Sequence, residues 1–399
     1  MNIFVVNSGS SSIKYQLFRW PNQQPVCSGL VERIGYSNAT ITHKVFTTGT
    51  PQEIQRTLAL PDHEAGLREV VALLTDAEQG VLQDPAEVQV VGHRVVHGGE
   101  SFAATTEVND EVKAEIRRLF ALAPLHNPAN LLGIEVAERI FPQARQIAVF
   151  DTAFHQTLPE KAFRYALPEK LYTEERIRVY GFHGTSHQYV AAQATAYLGQ
   201  PETRLITLHL GNGCSAAAVH NGRCLDTSMG FGPLSGLVMG TRTGDLDPSV
   251  VLHLMGQLGY SAEQISALVN KESGMLGLTG LSDMRDITKA IEQGNASAAL
   301  AYDLYAYRIR KYIGAYAAVL GGLDAVVFTA GVGENDVLVR SKACEGLGFL
   351  GIELNEEENK QRRPGIREIS QPNARVKVLV VPTNEELEIA SQCATLLAR

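Results

Sequence analysis

NSGSSSIK, Asn7 to Lys14, lies between two apolar runs, and its reading decides the fold. Ile3 to Val6 before it forms a β-rich strand, while Ile13, Tyr15 and Leu17 after it alternate with polar residues. The chain therefore runs out along one strand and returns along the next. The tip between them is rich in Gly and Ser, so its backbone N–H groups can approach an anion with little side chain in the way. Lys14, just past the tip, can reach a phosphoryl group as a point charge.

The same arrangement recurs. Arg204 to His209 is a strand running into Gly211-Asn212-Gly213, and Ser215 to Cys224 makes a second hairpin turning at Asn221-Gly222. That dipeptide best accepts positive φ at both central positions of a tight turn. A third Gly-rich turn, Ala330 to Asn335 (AGVGEN), follows the buried strand Asp324 to Thr329. One glycine turn is weak evidence, whereas three after apolar strands imply a duplicated, nucleotide-cradling unit.

Helical periodicity fills the intervals. Val112, Ile116, Leu119 and Phe120 share one face, and Asn127-Pro128 reads as an N-cap with proline at the first helical position, opening a helix through Phe141. Gln146 to Phe150 is a strand ending in Asp151, Asn295 to Leu320 a long helix, and Val376 to Val381 the last strand before a helix from Glu385. Strands alternating with helices define an α/β protein with mixed sheets.

The chain has 399 residues, too many for one ordinary core, and two domains are expected. A net charge of −8 gives no reason to expect nucleic acid or an anionic membrane as partner, so an anionic substrate must be met by local positive charge. The five cysteines are scattered and never at the two-residue spacing of metal or redox pairs. They read as reduced thiols. Met1 to Val6 is too short and lacks the basic leader of a signal peptide, and no segment reaches membrane-spanning length, so a cytoplasmic location is expected. The GxxxxGK[ST] loop, GxGxxG, the HRD loop of protein kinases and HExxH are all absent.

Longer motifs accompany the turns: GHRVVHGGE from Gly92, APLHNP from Ala123, FDTAFH from Phe150 and GFHGTSH from Gly181. DTSMG from Asp226, MGTRTGDLDP from Met239 and VPTNEE from Val381 complete the set. Taken in order along the whole chain, they resemble the acetate kinase family. The resemblance implies two duplicated actin-like (ribonuclease H-like) domains with mixed β-sheets flanking a nucleotide cleft. Their expected extents are 1–150 plus 385–399, and 151–384 for the ATP-binding domain. It further implies reversible phosphorylation of acetate by ATP to acetyl phosphate and ADP, and a homodimer. A propionate kinase is the near alternative. An ATP-driven conformational switch is the alternative of a different class, although it would not need the carboxylate-binding groups present here.

Both substrates are anions, so fixed cations must bring them together and neutralise charge on the transferring phosphoryl oxygens. Guanidinium forks suit carboxylate and phosphate, which makes Arg94 and Arg242 the candidates. The resemblance separates them, with Arg94 holding the substrate carboxylate and Arg242 stabilising the transition state. It makes His183 a donor to the phosphoryl group and Asp151 a proton donor or acceptor. Because carboxylates are already ionised near neutral pH, positioning of the arginines is the more economical role for Asp151.

Val96, Leu125 and Phe182 offer an apolar lining for a methyl group. The family's matching segments put ATP against Lys14, His209, Leu210, Gly211, Asn212, Gly213, Asp283, Met284, Arg285, Gly331, Val332, Gly333, Glu334 and Asn335. They put Mg2+, or Mn2+ in its place, on Asn7 and Glu385. His187 reads as structural, while His93, His97, His126 and His155 receive no role. Cys214 reads as a buried, inert thiol.

Overall fold

The computed structural model describes residues 1–46, 50–124 and 126–398. Two units emerge, Met1–Ala153 with Asn384–Arg399, and Phe154–Thr383. The first boundary falls after Ala153, not after Phe150, because Asp151 N–H donates to Val95 O and stays with the strand it follows.

In the first unit the opening strands are β1 (Asn2–Ser8), β2 (Ser12–Arg19), β3 (Pro25–Glu32), β4 (Ala39–Val45) and β5 (Gln52–Leu58), an antiparallel meander. β6 (Val90–Val95) joins β1 in parallel, β8 (Arg145–Phe150) joins β6 in parallel, and the short β7 (Thr106–Glu107) closes that edge. The sheet order is β5-β4-β3-β2-β1-β6-β8-β7. One face is covered by Leu67, Val70, Leu73 and Leu74 of the helix His63–Leu74 and by Val136 and Ala137 of the helix Asn127–Ile140. On the other face, Ile389, Ala390 and Cys393 of the helix Glu385–Leu397 pack on Ile3, Val5, Val90, Ile147 and Val149. A strand covered on both faces needs apolar side chains in both directions, which is why Ile3 to Val6 shows no alternation.

The second unit repeats the plan. β9 (Arg204–Leu210), β10 (Cys214–His220) and β11 (Arg223–Thr227) form the meander, and β12 (Ala325–Thr329) adds to β9 in parallel. β13 (Arg367–Glu368) pairs antiparallel with β14 (Lys377–Val380), which lies parallel to β12, giving the order β11-β10-β9-β12-β14-β13. Thus β3-β2-β1-β6-β8 and β11-β10-β9-β12-β14 follow the same path, so the duplication expected from the glycine turns is a duplication of topology. The turn between β10 and β11 has φ of 50° at Asn221 and 74° at Gly222, as that dipeptide demands.

Two local expectations are corrected. Asn127 does not cap its helix: it is fully buried, its Oδ1 accepts the His97 N–H at 3.0 Å, and its Nδ2 donates to His97 O at 2.9 Å. The loop after β6 had unmet backbone groups, and the amide serves them instead of the helix end. AGVGEN is also not an open turn but a short helix, Ala330–Asn335, entered through Ala330 at a φ of 63°. Among the described residues no helix is long and apolar enough to cross a membrane.

Candidate active site

At the tip of the β1–β2 hairpin Gly9 N–H donates to Ser12 O at 2.8 Å, and His63 Nε2 donates to Gly9 O at 2.7 Å. Asn130 Nδ2 donates to Ser8 O at 2.8 Å, while its Oδ1 accepts the Val96 N–H at 3.0 Å. One amide thus ties the tip to the chain that has just left Arg94. Gly133 lets that helix come close, because a Cβ there would lie 2.3 Å from Ser8 Oγ. Sequence reasoning missed His63 and Asn130, whose partners are remote along the chain.

Asn7 and Lys14 are cross-strand partners, so their side chains share one face of the sheet. Lys14 Nζ lies 2.7 Å from Glu386 Oε1. Arg94 Nε meets both carboxylate oxygens of Asp151 at 3.1 and 3.0 Å, and Nη2 meets Oδ2 at 2.6 Å. The Nη1 edge takes no part in this grip, so the fork is held from behind. Glu385 Oε2 stands 3.9 Å from Arg94 Nε. Burial opposes the charge of Arg94, but Asp151 and Glu385 more than offset it and raise its pKa. Burial lifts the Glu385 carboxyl above its ordinary value; Arg94 pulls it down, and Asp151 and Glu386 push it further up. Val96 is buried beside this group, and Leu125 lies outside the described residues.

The second unit assembles a different set. His183 occupies left-handed backbone, φ 56°, at the start of the helix Gly184–Leu198. Its Nδ1 lies 2.9 Å from Ser215 Oγ, and its ring stacks on His209 with centroids 4.2 Å apart. Arg242 Nη1 donates to Pro233 O at 2.9 Å, and among the described residues no carboxylate pairs with it. Burial draws its pKa down. A Cβ placed on Gly213 would lie 3.6 Å from His183 Nε2 and 3.7 Å from Arg242 Nη1. Two nitrogens therefore converge on the space a side chain at Gly213 would fill. Phe182 is buried next to His183, and its carbonyl accepts from His155 Nε2 at 2.9 Å.

Of the residues expected around ATP, Gly211, Asn212, Asp283, Met284, Arg285, Gly331, Val332 and Asn335 line one cavity of about 1040 Å³. Met275, Tyr305 and Arg362 also line it, which no local pattern announced. Leu210, Gly333 and Glu334 are among those that do not line it. Leu210 is fully buried, so it can offer only backbone; Gly333 is buried, and its carbonyl accepts from Arg340. Glu334 Oε1 accepts the Thr383 N–H at 3.1 Å, away from the cavity. For Gly333 and Glu334 the cause is the helix Ala330–Asn335, whose turn of about 3.6 residues puts Gly331, Val332 and Asn335 on the cavity side. His209 sits behind the glycine turn, its Nδ1 2.8 Å from Ser186 Oγ. Arg285 holds the Asp283 carboxyl down at about 2 through hydrogen bonds at the cavity rim. Cys214 is fully buried and its thiol is pushed up to about 11 by that burial, so it is inert near neutral pH.

The geometry gives a direct prediction. Gly213→Ala should fold normally, because the added methyl meets its neighbours at ordinary contact distance, 3.5 Å or more. It occupies the point on which His183 and Arg242 converge, so kcat/KM should fall about a hundredfold with an unchanged melting temperature. Kinetics and a thermal melt on the same sample check this.

Two open sheets of this path, with anion-ready turns after their strands and a guanidinium and an imidazole converging beside Gly213, define the class of actin-like phosphotransferases. A model of the acetokinase family matches residues 2–391, and the chain belongs to that family. It is 52% identical over 397 residues to an acetate kinase of Flavobacterium johnsoniae, with each chain covered completely. The crystal structure of Porphyromonas gingivalis acetate kinase is 45% identical, covers 99% of both chains and superposes with a TM-score of 0.93. A propionate kinase from Francisella tularensis is 38% identical, with 98% of both chains covered and a TM-score of 0.90.

Proposed function

We propose that this protein transfers the γ-phosphoryl group of ATP reversibly and in line to a carboxylate oxygen of acetate, forming acetyl phosphate and ADP. The observation that carries the reading is Arg242, a partly buried guanidinium without a carboxylate partner among the described residues, facing the same point as His183. Such a group is arranged for charge that develops elsewhere, on phosphoryl oxygens. Arg94, oriented by Asp151, offers its outer edge to the acetate carboxylate, and Val96 supplies apolar surface for the methyl group. The 1040 Å³ cavity is ample for adenosine. Incubation with MgATP and acetate, trapping the product as its hydroxamate, tests the reading. ATP hydrolysis that ignores the carboxylate and leaves nothing to trap would instead mark a nucleotide-driven switch. Propionate should be a poorer substrate, since one methylene changes pocket discrimination by about 1 to 3 kcal/mol; comparing kcat/KM for both acids decides it.

Mg2+, or Mn2+ in its place, fits the donors of the first unit. Asp151, Glu385 and Glu386 bring three carboxylates against two cations, Arg94 and Lys14, leaving a surplus of negative charge. Among the described residues no group of three or more His, Cys, Asp or Glu could hold a metal alone. Mg2+ takes one or two protein oxygens and completes its shell with water and phosphate. Asn7 and Glu385 would hold it, and when bound it offsets phosphate charge. Because the Glu385 pKa is raised, acidification should protonate it at a higher pH than an ordinary glutamate, whose value is 4.5. The Mg2+ concentration for half-maximal rate should therefore climb from that higher pH downward. Glu385→Gln should raise that concentration at neutral pH and flatten its pH dependence.

We place the active form as a homodimer in the cytoplasm. Five free, buried cysteines suit a reducing compartment. The helix Pro248–Gly256 carries no buried residue although its sequence is apolar, and Leu252, Met255 and Leu258 near it are 69%, 45% and 59% exposed. A second copy covering this face would remove that surface from water. Leu252→Glu should convert dimer to monomer in sedimentation velocity; an unchanged dimer would move the interface elsewhere.

A further inference from the structure

We propose that Thr207, His187 and Ser215 form a one-way hydrogen-bond relay that fixes His183 as the neutral imidazole with its hydrogen on Nε2. They would then be positioning residues for the bond His183 makes to the phosphoryl group, and the inference rests on the phosphoryl-transfer reading above.

The relay runs through three contacts. Thr207 Oγ1 lies 2.7 Å from His187 Nδ1, His187 Nε2 lies 2.7 Å from Ser215 Oγ, and Ser215 Oγ lies 2.9 Å from His183 Nδ1. Secondary structure sets the spacing. His183 and His187 are one turn apart, with the His187 N–H donating to His183 O at 2.9 Å, so both rings meet the same hydroxyl on β10. Thr207 lies on the adjacent strand β9.

Direction follows from counting hydrogens. Thr207 and Ser215 are both fully buried, and a hydroxyl has one hydrogen to give. Among the described residues the only side-chain hydrogen bond of Thr207 is to His187, so its hydrogen must go to Nδ1; the opposite sense would bury an unused donor. His187 then carries its hydrogen on Nε2 and gives it to Ser215. Ser215, having accepted there, donates to His183 Nδ1. His183 is left with its hydrogen on Nε2, the nitrogen that faces the space beside Gly213 and Arg242.

A doubly protonated His183 would fail the same count, because Ser215 would face two N–H groups with its own hydrogen orphaned. Arg242 also disfavours a second positive charge at that spot. The other titratable rings nearby are His209, stacked on His183, and His155, edge-on to His187 at 5.8 Å. Burial first, and then His155 and His209, hold His187 well below its ordinary pKa and hence neutral.

The test uses the full-length protein labelled with ¹⁵N-histidine. In long-range ¹H–¹⁵N spectra, with the His183 signals assigned from His183→Asn, wild type should show an unprotonated Nδ1 and a protonated Nε2. Ser215→Ala should mix the tautomers and lower kcat about ten- to a hundredfold, less than the roughly hundred- to thousandfold loss on removing such a donor outright, while KM for ATP and acetate stays within about twofold. Ser215→Thr should restore most of kcat. Thr207→Val, nearly isosteric and remote from substrate, should lower kcat by a smaller factor and shift the His187 tautomer. A hydrogen on His183 Nδ1 in wild type, or unchanged tautomers in both Ser215→Ala and Thr207→Val, would overturn the relay. Failure of wild type to form trapped acetyl hydroxamate would sink the transfer reading and leave the tautomer result to stand by itself.

Discussion

Arg242→Ala is expected to lower kcat for acetyl phosphate formation by about a thousandfold while leaving the fold intact. The guanidinium is held through Nη1 by Pro233 O and, at longer range, by Met239 Sδ, and is not neutralised by any carboxylate among the described residues, so its removal breaks no ion pair. Its charge is available for the transferring phosphoryl group, where negative charge is spread over three oxygens in the transition state. The loss should therefore appear in kcat more than in KM for either substrate, as for an interaction made mainly in the transition state. Arg242→Lys should recover only part of it, since one ammonium cannot hold Pro233 O and match a planar pair of oxygens together. Steady-state kinetics with hydroxamate detection provides the measurement. A change smaller than about threefold in Arg242→Ala would remove the residue from the mechanism.

The second large effect is expected at Asp151. Its side chain is 1% exposed and grips Arg94 through both oxygens, whereas Arg94 is 20% exposed on its other side. Breaking such a pair by removing one partner costs about 3 to 5 kcal/mol, because a buried charge is left without its counterion. In Asp151→Ala, the carboxylate left in ion-pair reach of Arg94 among the described residues is Glu385, at 3.9 Å, and Arg94 should swing toward it. That would take the fork from acetate, so kcat/KM for acetate should fall about 10² to 10³-fold, and KM for acetate should rise with little change in KM for ATP. Asp151→Asn separates the roles. Its amide oxygen can keep the contacts of Oδ2, the shorter ones, while the charge is lost. A much milder defect than in the alanine variant identifies positioning; equal defects point to the ionised carboxylate or to proton transfer.

How far the site could be read beforehand depended on the kind of interaction involved. The Asn221-Gly222 turn was readable because its φ values are a property of two residues, and the long helix Ala296–Leu320 because Asn295 caps it locally and Gly321 ends it at a φ of 63°. Arg94 and Asp151 could be picked from their motifs, but their bidentate grip depends on the parallel pairing of β6 with β8, which brings residues far apart in sequence side by side. Asn127 shows the opposite outcome: its local signal is that of a cap, and a buried loop 30 residues earlier in the chain outbid the helix end for its amide. Ala330 to Asn335 was misread because glycines suit open turns and tight helical ones alike, and only the packing after β12 chose between them.

Sequence by itself determined the alternation of strands and helices, both anion-ready hairpins, the two arginines and the family. These depend on period, turn chemistry and motif, all local properties of the chain. Tertiary structure alone decided which residues behind the glycine turns face the adenosine-sized cavity, that Glu386 holds Lys14, and that Thr207, His187 and Ser215 stand in line behind His183. The reason is physical: a buried polar group takes its partner from whatever the packed elements bring within about 3 Å, and that neighbour is set by sheet register and helix packing.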